Sequence, residues 1–298
     1  MSTKIFYGSI TPLPTPFSDS GRTIDVQALR RLVEFQIENG SHGLSCTGTT
    51  GEPTSLSLDE RRLVIRTVIE AAGGRVPVLA GTGSNNTQES IELSLHAKQM
   101  GAQGILTVAP YHVKPSQQGL FEHFTAIAHA VGDLPLMLYN IPGRAAVNIE
   151  PETQKRIRDA CPNVFGVKEA NVNFAQVSLD LHAAGRDWGV YSGIETLCYP
   201  MLAVGGTGHV SATANVAPRE VADLYEFVKA GKWREAVDLH YRMLELNEVL
   251  FIETNPGPVK FLLGEMGFID PALRLPLVLP GEQNRRKIIQ VAKDYGIL

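Results

Sequence analysis

Apolar and polar positions along the chain follow two periods in turn. Short runs rich in β-branched residues alternate with longer stretches whose apolar positions return every three or four residues. The short runs predict strands at "YGSITPL" (7–13), "HGLSCTG" (42–48), "VPVLAGTG" (76–83), "GILTVAP" (104–110), "PLMLYNIP" (135–142), "VFGVKEA" (164–170), "GVYSGI" (189–194) and "HVSATAN" (209–215). The helical stretches fall at 25–39, 57–72, 87–100, 117–131, 151–160, 174–184, 195–204 and 218–230. Ser57 and Glu60 have the spacing of a capping box. Gly40, Gly73, Gly101, Gly132, Gly185 and Gly231 each stand just past a helical stretch, where a left-handed C-terminal residue is needed.

Eight strands each followed by a helix predict an α/β protein, a (β/α)8 barrel over residues 1–231. A doubly wound open sheet is the competitor. Its dinucleotide turn needs a GxGxxG spacing that "GTGSNN" (81–86) and "GGTGHV" (205–210) lack. Residues 232–298 read as a C-terminal helical extension, carrying "WREAVDLHYRMLELNEVLF", "NPGPVKFLLGEMG" and "EQNRRKIIQVAKDYG".

Composition narrows the classes of partner. The 298 residues hold 27 basic and 31 acidic side chains, a formal net charge of −4, with no Lys/Arg cluster, so nucleic acid and anionic membranes are not expected partners. No apolar run reaches the roughly 20 residues of a membrane span. The opening "MSTKIFYGSITPLPTPF" is broken by three prolines, unlike a signal peptide. Cys46, Cys161 and Cys198 lie far apart and no HxxxH or HExxH pair occurs. These features predict a soluble cytoplasmic protein without a disulfide framework or metal site.

In such a barrel, chemistry gathers where strands end. Lys168 stands at the end of the sixth predicted strand. It is either a strand-end lysine reaching solvent or pairing with Glu169, or an amine discharged by apolar surroundings that attacks a carbonyl. Tyr139, at the end of the fifth, is either a core tyrosine or a phenol that moves a proton. Arg144, beyond "YNIPG", is either a solvated loop residue or a fork for a carboxylate. In "CTGTTGEP", Gly48 and Gly51 allow close backbone approach, and Thr49 and Thr50 offer amides and hydroxyls to a carboxylate; a hydroxyl-rich turn before a helix is the plainer reading. Glu52 and Glu169 read as loop-pairing or helix-dipole residues.

Taken together, "GTTGEPTSL" (48–56), "AGTGSN" (80–85), "YNIPGR" (139–144), "GVKEA" (166–170) and "NPGPVK" (255–260) resemble the dihydrodipicolinate synthase/N-acetylneuraminate lyase family over essentially the whole chain. The resemblance implies a metal-free and cofactor-free lyase that joins pyruvate to an aldehyde, built as a homotetramer, a dimer of dimers. It implies that Lys168 forms the Schiff base with pyruvate, that Tyr139 and Thr49 relay protons, and that Thr49 and Thr50 supply the hydroxyl and backbone donors at the pyruvate carboxylate, beside Gly48. Arg144, with "GHVSATANV" (208–216), resembles the synthase branch, where the arginine grips the aldehyde's carboxylate.

Two departures stand out. The family's relay ends in a tyrosine donated by the neighbouring subunit, and "APYHVKPS" (109–116) puts His112 at that position. A histidine passes protons near neutrality but has a shorter reach. Leu58 and Arg61 replace histidines of the family's lysine-inhibitor site, whereas Asn85, Glu89 and Tyr111 match it. Feedback by lysine is therefore expected to be weak or absent. His112 keeps open an aldolase or dehydratase for a 2-keto-3-deoxy sugar acid or a hydroxy-keto acid. A non-catalytic carboxylate-binding barrel is the reading from another class.

Overall fold

A computed structural model describes residues 6–298. Eight of its strands run parallel and close into a barrel. These are β1 (Gly8–Pro12), β4 (Gly43–Cys46), β5 (Val78–Gly81), β6 (Gly104–Val108), β7 (Leu136–Asn140), β8 (Val164–Glu169), β9 (Gly189–Ser192) and β10 (Gly208–Val210). β10 meets β1 through Gly8–Gly208, Ser9–His209 and Ile10–Val210. Between β1 and the first helix lies a small antiparallel hairpin of β2 (Phe17–Ser18) and β3 (Thr23–Ile24), too short to leave a period in the sequence.

The outer layer is α1 (Val26–Glu38), α2 (Leu58–Ala72), α3 (Thr87–Gln99), α4 (Gln117–Val131), the single turn α5 (Pro142–Ala145), α6 (Pro151–Ala160), α7 (Ala175–Ala183), α8 (Cys198–Ala203) and α9 (Pro218–Lys229). Local chemistry sets their ends. The Ser57 hydroxyl accepts from Glu60 N while the Glu60 carboxylate accepts from Ser57 N, the expected capping box. All six expected helix-end glycines have positive φ. The expected helix at 195–204 divides into a 3-10 turn, Glu195–Leu197, and α8. The eighth strand is shorter than its sequence suggests. It stops at Val210, and Ala212–Asn215 forms a 3-10 turn in which Asn215 Nδ2 donates to Pro12 O at 2.9 Å and to Ala212 O at 3.0 Å. The asparagine side chain draws the chain out of the ladder.

The extension comprises α10 (Trp233–Arg242), α11 (Leu244–Val249), α12 (Gly257–Glu265) and α13 (Glu282–Tyr295). Leu246, Val249, Val259, Leu262 and Ile288 belong to the same hydrophobic cluster as Leu29, Val64 and Phe124 of the barrel helices. Its apolar faces therefore share the main core.

A second cluster fills the barrel interior, including Ile10, Leu79, Leu106, Met137, Tyr139 and Tyr191. Side chains on a strand alternate between interior and helix layer, so neighbouring residues face opposite ways. One irregularity decides which residues meet. Leu136 pairs with Val164 but Met137 pairs with Gly166, a bulge that inserts one residue into β8. Without it Tyr139 would face Val167; with it Tyr139 pairs with Lys168. Among the described residues no helix is long and apolar enough to cross a membrane, and no cluster of metal-ligating side chains occurs.

Candidate active site

Lys168 and Tyr139 end adjacent strands in one register and are 6% and 4% exposed, so both are inside the barrel rather than at its rim. Lys168 Nζ lies 4.2 Å from the centre of the Tyr139 ring, on its face. A cation over a phenol ring is attracted to it, which fixes where the amine rests. Glu169 faces the opposite way, into the helix layer, where Asn140 holds it. The alternative of a Lys168–Glu169 pair therefore does not occur. Strand alternation forbids it.

The lysine has a shaped bed. A Cβ added to Gly193 would stand 2.9 Å from Lys168 Cε and 2.9 Å from Ala170 Cβ, so this position must be glycine for the lysine stem to pass. Gly193→Ala should displace the amine and lower kcat/KM for the reaction at Lys168 by about tenfold or more. The folded circular-dichroism spectrum should persist, and unchanged kinetics would contradict the packing argument.

Glu195 lies two residues further on and is buried, accepting from Ala212 N at 2.7 Å. Burial pushes its carboxyl up from the ordinary 4.5 to about 6, against the Ala212 amide and the Lys168 charge, which pull it down. The folded chain thus holds this proton more tightly than the unfolded one. Glu195 contributes stability below about pH 4.5 that is lost as the pH rises through about 6. Relative to Glu195→Gln, the wild-type chain should lose about 2 kcal/mol between those limits in denaturant titrations. A constant difference across pH would refute the assignment.

The loop after β4 supplies the other wall. Thr49–Gly51 forms a 3-10 turn with Gly48 at its start, and the amides opening such a turn have no partner within it. Thr47 and Glu52 flank the turn, both at φ 52°. Non-glycine residues adopt such backbone only where their surroundings enforce it. The Thr47 hydroxyl donates to Cys46 O or Gly81 O, at 2.7 and 2.8 Å. Glu52 accepts from Lys260 Nζ at 2.7 Å and from Arg274 N at 3.2 Å.

Sequence reasoning did not single out Asn255, the first residue of "NPGPVK". Its Nδ2 donates to Thr50 Oγ1 at 3.1 Å, and its carbonyl accepts from Arg144 at 3.3 Å. It ties the threonine turn to the arginine. Thr50, already accepting one bond, keeps its own hydroxyl proton free to donate. Gly48, Thr49, Tyr139, Arg144 and Asn255 line a cavity of about 280 Å³. Lys168 is not in that wall, but the ring it rests on is.

The site thus brings together Lys168, Tyr139, Thr49, Thr50, Gly48 and Arg144. It does not bring His112. That residue is exposed, with φ 73°, at the centre of a tight turn in which Val113 N donates to Tyr111 O at 2.9 Å. The only signals in the sequence for Gly193, Glu195 and Asn255 are a strand-end glycine, a carboxylate two residues on, and a motif distant in the chain.

A (β/α)8 barrel with an amine, a phenol and a hydroxyl-rich turn meeting at the strand ends has the make-up of a lyase that works through a lysine amine. The profile of the dihydrodipicolinate synthetase family matches residues 5–294, and the chain belongs to that family. The 4-hydroxy-tetrahydrodipicolinate synthase of Thermus thermophilus is 45% identical over 294 residues, 99% of this chain and 98% of the relative. The dihydrodipicolinate synthase of Aquifex aeolicus superposes with a TM-score of 0.96 at 41% identity, covering 98% of this chain and 99% of that one. A chloride-inhibited dihydrodipicolinate synthase from Acinetobacter baumannii, solved with pyruvate, gives 0.94 at 40% identity, covering 98% and 99%.

Proposed function

We propose that the chain condenses pyruvate with L-aspartate-4-semialdehyde to 4-hydroxy-tetrahydrodipicolinate, the activity that names its relatives. The observation that carries the reading is the Lys168 amine resting on the Tyr139 ring beside the Thr49–Thr50 turn. The neutral amine adds to C2 of pyruvate, and water leaves to give an iminium. That positive charge acidifies the methyl group, and Tyr139 with Thr49 takes a proton to leave an enamine. The enamine carbon attacks the aldehyde, whose oxygen is protonated. Arg144 holds the substrate carboxylate by its guanidinium fork. The substrate's amine then closes on the former C2, and the bond to Lys168 breaks.

Pyruvate with L-aspartate-4-semialdehyde should give product with the purified chain, where a panel of 2-keto-3-deoxy sugar acids gives none. Turnover of the sugar acids alone would favour the aldolase reading that His112 keeps open. Binding of pyruvate without turnover of any aldehyde would favour the carboxylate-binding barrel.

The same reading includes a cytoplasmic homotetramer, a dimer of dimers, in which His112 enters the neighbouring subunit's site. The positive φ at an exposed, non-glycine residue supports this, because strained backbone gathers at functional positions. Free thiols at Cys46, Cys161 and Cys198 suit a reducing compartment. Sedimentation velocity giving a monomer at assay concentration would refute the assembly and the role of His112.

Regulation differs from the lysine-sensitive pattern in this reading. Arg61 is 5% exposed and donates to Glu89 at 3.2 Å, close to the carbonyls of Gly81 and Gly83. A guanidinium there repels an ammonium and already occupies the carboxylate. L-lysine below about millimolar should leave the rate unchanged. Inhibition in that range would contradict the assignment.

A further inference from the structure

Asn140 and Glu169 directly follow Tyr139 and Lys168, and alternation turns both outward into the layer between sheet and helices. Asn140 Nδ2 lies 3.0 Å from each carboxylate oxygen of Glu169 and 2.8 Å from Asn148 Oδ1. Glu169 also accepts from Asn171 N at 2.9 Å and from Gln176 Nε2 at 3.3 Å. Asp180 of α7 accepts from Gln154 Nε2 at 2.9 Å through Oδ1. Its Oδ2 is buried with no hydrogen-bond donor among the described residues, and its carboxyl interacts directly with that of Glu169. Asn140, Glu169 and Asp180 are all fully buried.

No cation belongs to this set; its other members are amides. Two buried carboxylates in contact cannot both remain ionised at ordinary cost, so the pair must share a proton. The placement of that proton follows from the donors. Asn140, Asn171 and Gln176 all donate to Glu169, which suits an anion, whereas Asp180 Oδ2 has nothing to accept and is free to donate. Burial raises both carboxyls, and the Glu169 charge raises Asp180 further.

We propose that protonated Asp180 and ionised Glu169 form a buried acid–carboxylate clamp which, through Asn140, locks the ends of β7 and β8 together and thereby positions Tyr139 against Lys168. The inference rests on the reading of Lys168 as the amine that takes pyruvate. The clamp sits one residue beyond the reacting pair on both strands, so its loss lets the two strand ends slip relative to each other. A slip of about 1 Å in such a pair costs about 100-fold in rate. Asp180 and Glu169 are positioning residues and touch no reacting atom.

The test compares three variants by the rate at which borohydride traps a pyruvate adduct on Lys168, with folding followed by circular dichroism. Asp180→Asn keeps a donor toward Glu169 and an acceptor toward Gln154, and should trap within about twofold of wild type. Asp180→Ala, or the closer-sized Asp180→Leu where alanine does not fold, removes the donor and should trap about 10- to 100-fold more slowly while folded. Glu169→Gln sets an NH2 group against donors and should be slow as well. Asparagine as slow as alanine, or alanine and glutamine as fast as wild type, overturns the clamp. A wild-type chain that forms no adduct overturns the lyase reading, and with it any positioning role in that chemistry.

Discussion

Replacing Lys168 by alanine should abolish condensation, lowering kcat by at least about 10⁴-fold while the chain stays folded. The size of the effect follows from covalency. The methyl group of free pyruvate does not lose a proton at neutral pH, and in the proposed mechanism only the iminium on Lys168 makes the carbon nucleophilic. No neighbour can substitute, because Lys168 is the amine against Tyr139 and Glu169 faces away. Lys168→Arg should be equally inactive, since a guanidinium is not deprotonated in a protein and forms no imine. The fold should tolerate either loss, because neither the bulge that sets the β7–β8 register nor the strand ladder depends on that side chain. Residual turnover within about 100-fold of wild type would require another nucleophile and would remove the basis of the mechanism.

The second large effect concerns the extension. Lys260 of α12 has no exposed surface, and its ammonium lies 2.7 Å from Glu52, whose side chain is 1% exposed. It also donates to Thr15 O at 3.0 Å and lies 4.1 Å from the centre of the Phe17 ring. The Arg274 guanidinium contacts the same ring at 4.4 Å. Burial lowers the Lys260 ammonium's hold on its proton, and Glu52 offsets only part of that loss. Lys260→Met leaves Glu52 as an uncompensated buried anion and should cost about 3–5 kcal/mol. Removing both charges in Glu52→Gln/Lys260→Met should recover much of that loss, the sign of a direct pair. Glu52 also closes the Thr49–Gly51 turn at positive φ. The single variant should therefore raise KM for pyruvate as well as lower stability. Equal denaturation midpoints for wild type and Lys260→Met would rule out the account of the extension as a brace for that turn.

Most of the architecture was legible because strands and helices leave different periods, and the strand expectations at 104–110 and 164–170 differ from the structure only at their ends. Failures came where a side chain or a register overrides periodicity. Asn215 pulls the chain from the ladder after Val210, so "ATAN" is a turn. The bulge in β8 is invisible to composition, yet it alone puts Lys168 rather than Val167 opposite Tyr139. Lys168, Tyr139, Thr49, Thr50 and Arg144 could be named from residue chemistry and resemblance. Asn255 and Lys260 meet their partners across more than 200 positions of sequence, Glu169 reads only as a loop-pairing or helix-dipole residue, and nothing local marks Asp180. Long-range pairing has no local signature. His112 is the converse case, conspicuous in sequence but exposed and outside the cavity wall that its neighbour Tyr111 lines.

The central claim is that the Lys168 amine becomes covalently joined to a 2-oxo acid. Incubation with pyruvate and borohydride, followed by peptide mass analysis, reads that bond directly. One reduced pyruvate unit on the Lys168 peptide, absent without pyruvate and absent from Lys168→Ala, is the expected result. An unmodified Lys168 at saturating pyruvate, or an adduct on some other lysine, would contradict the account.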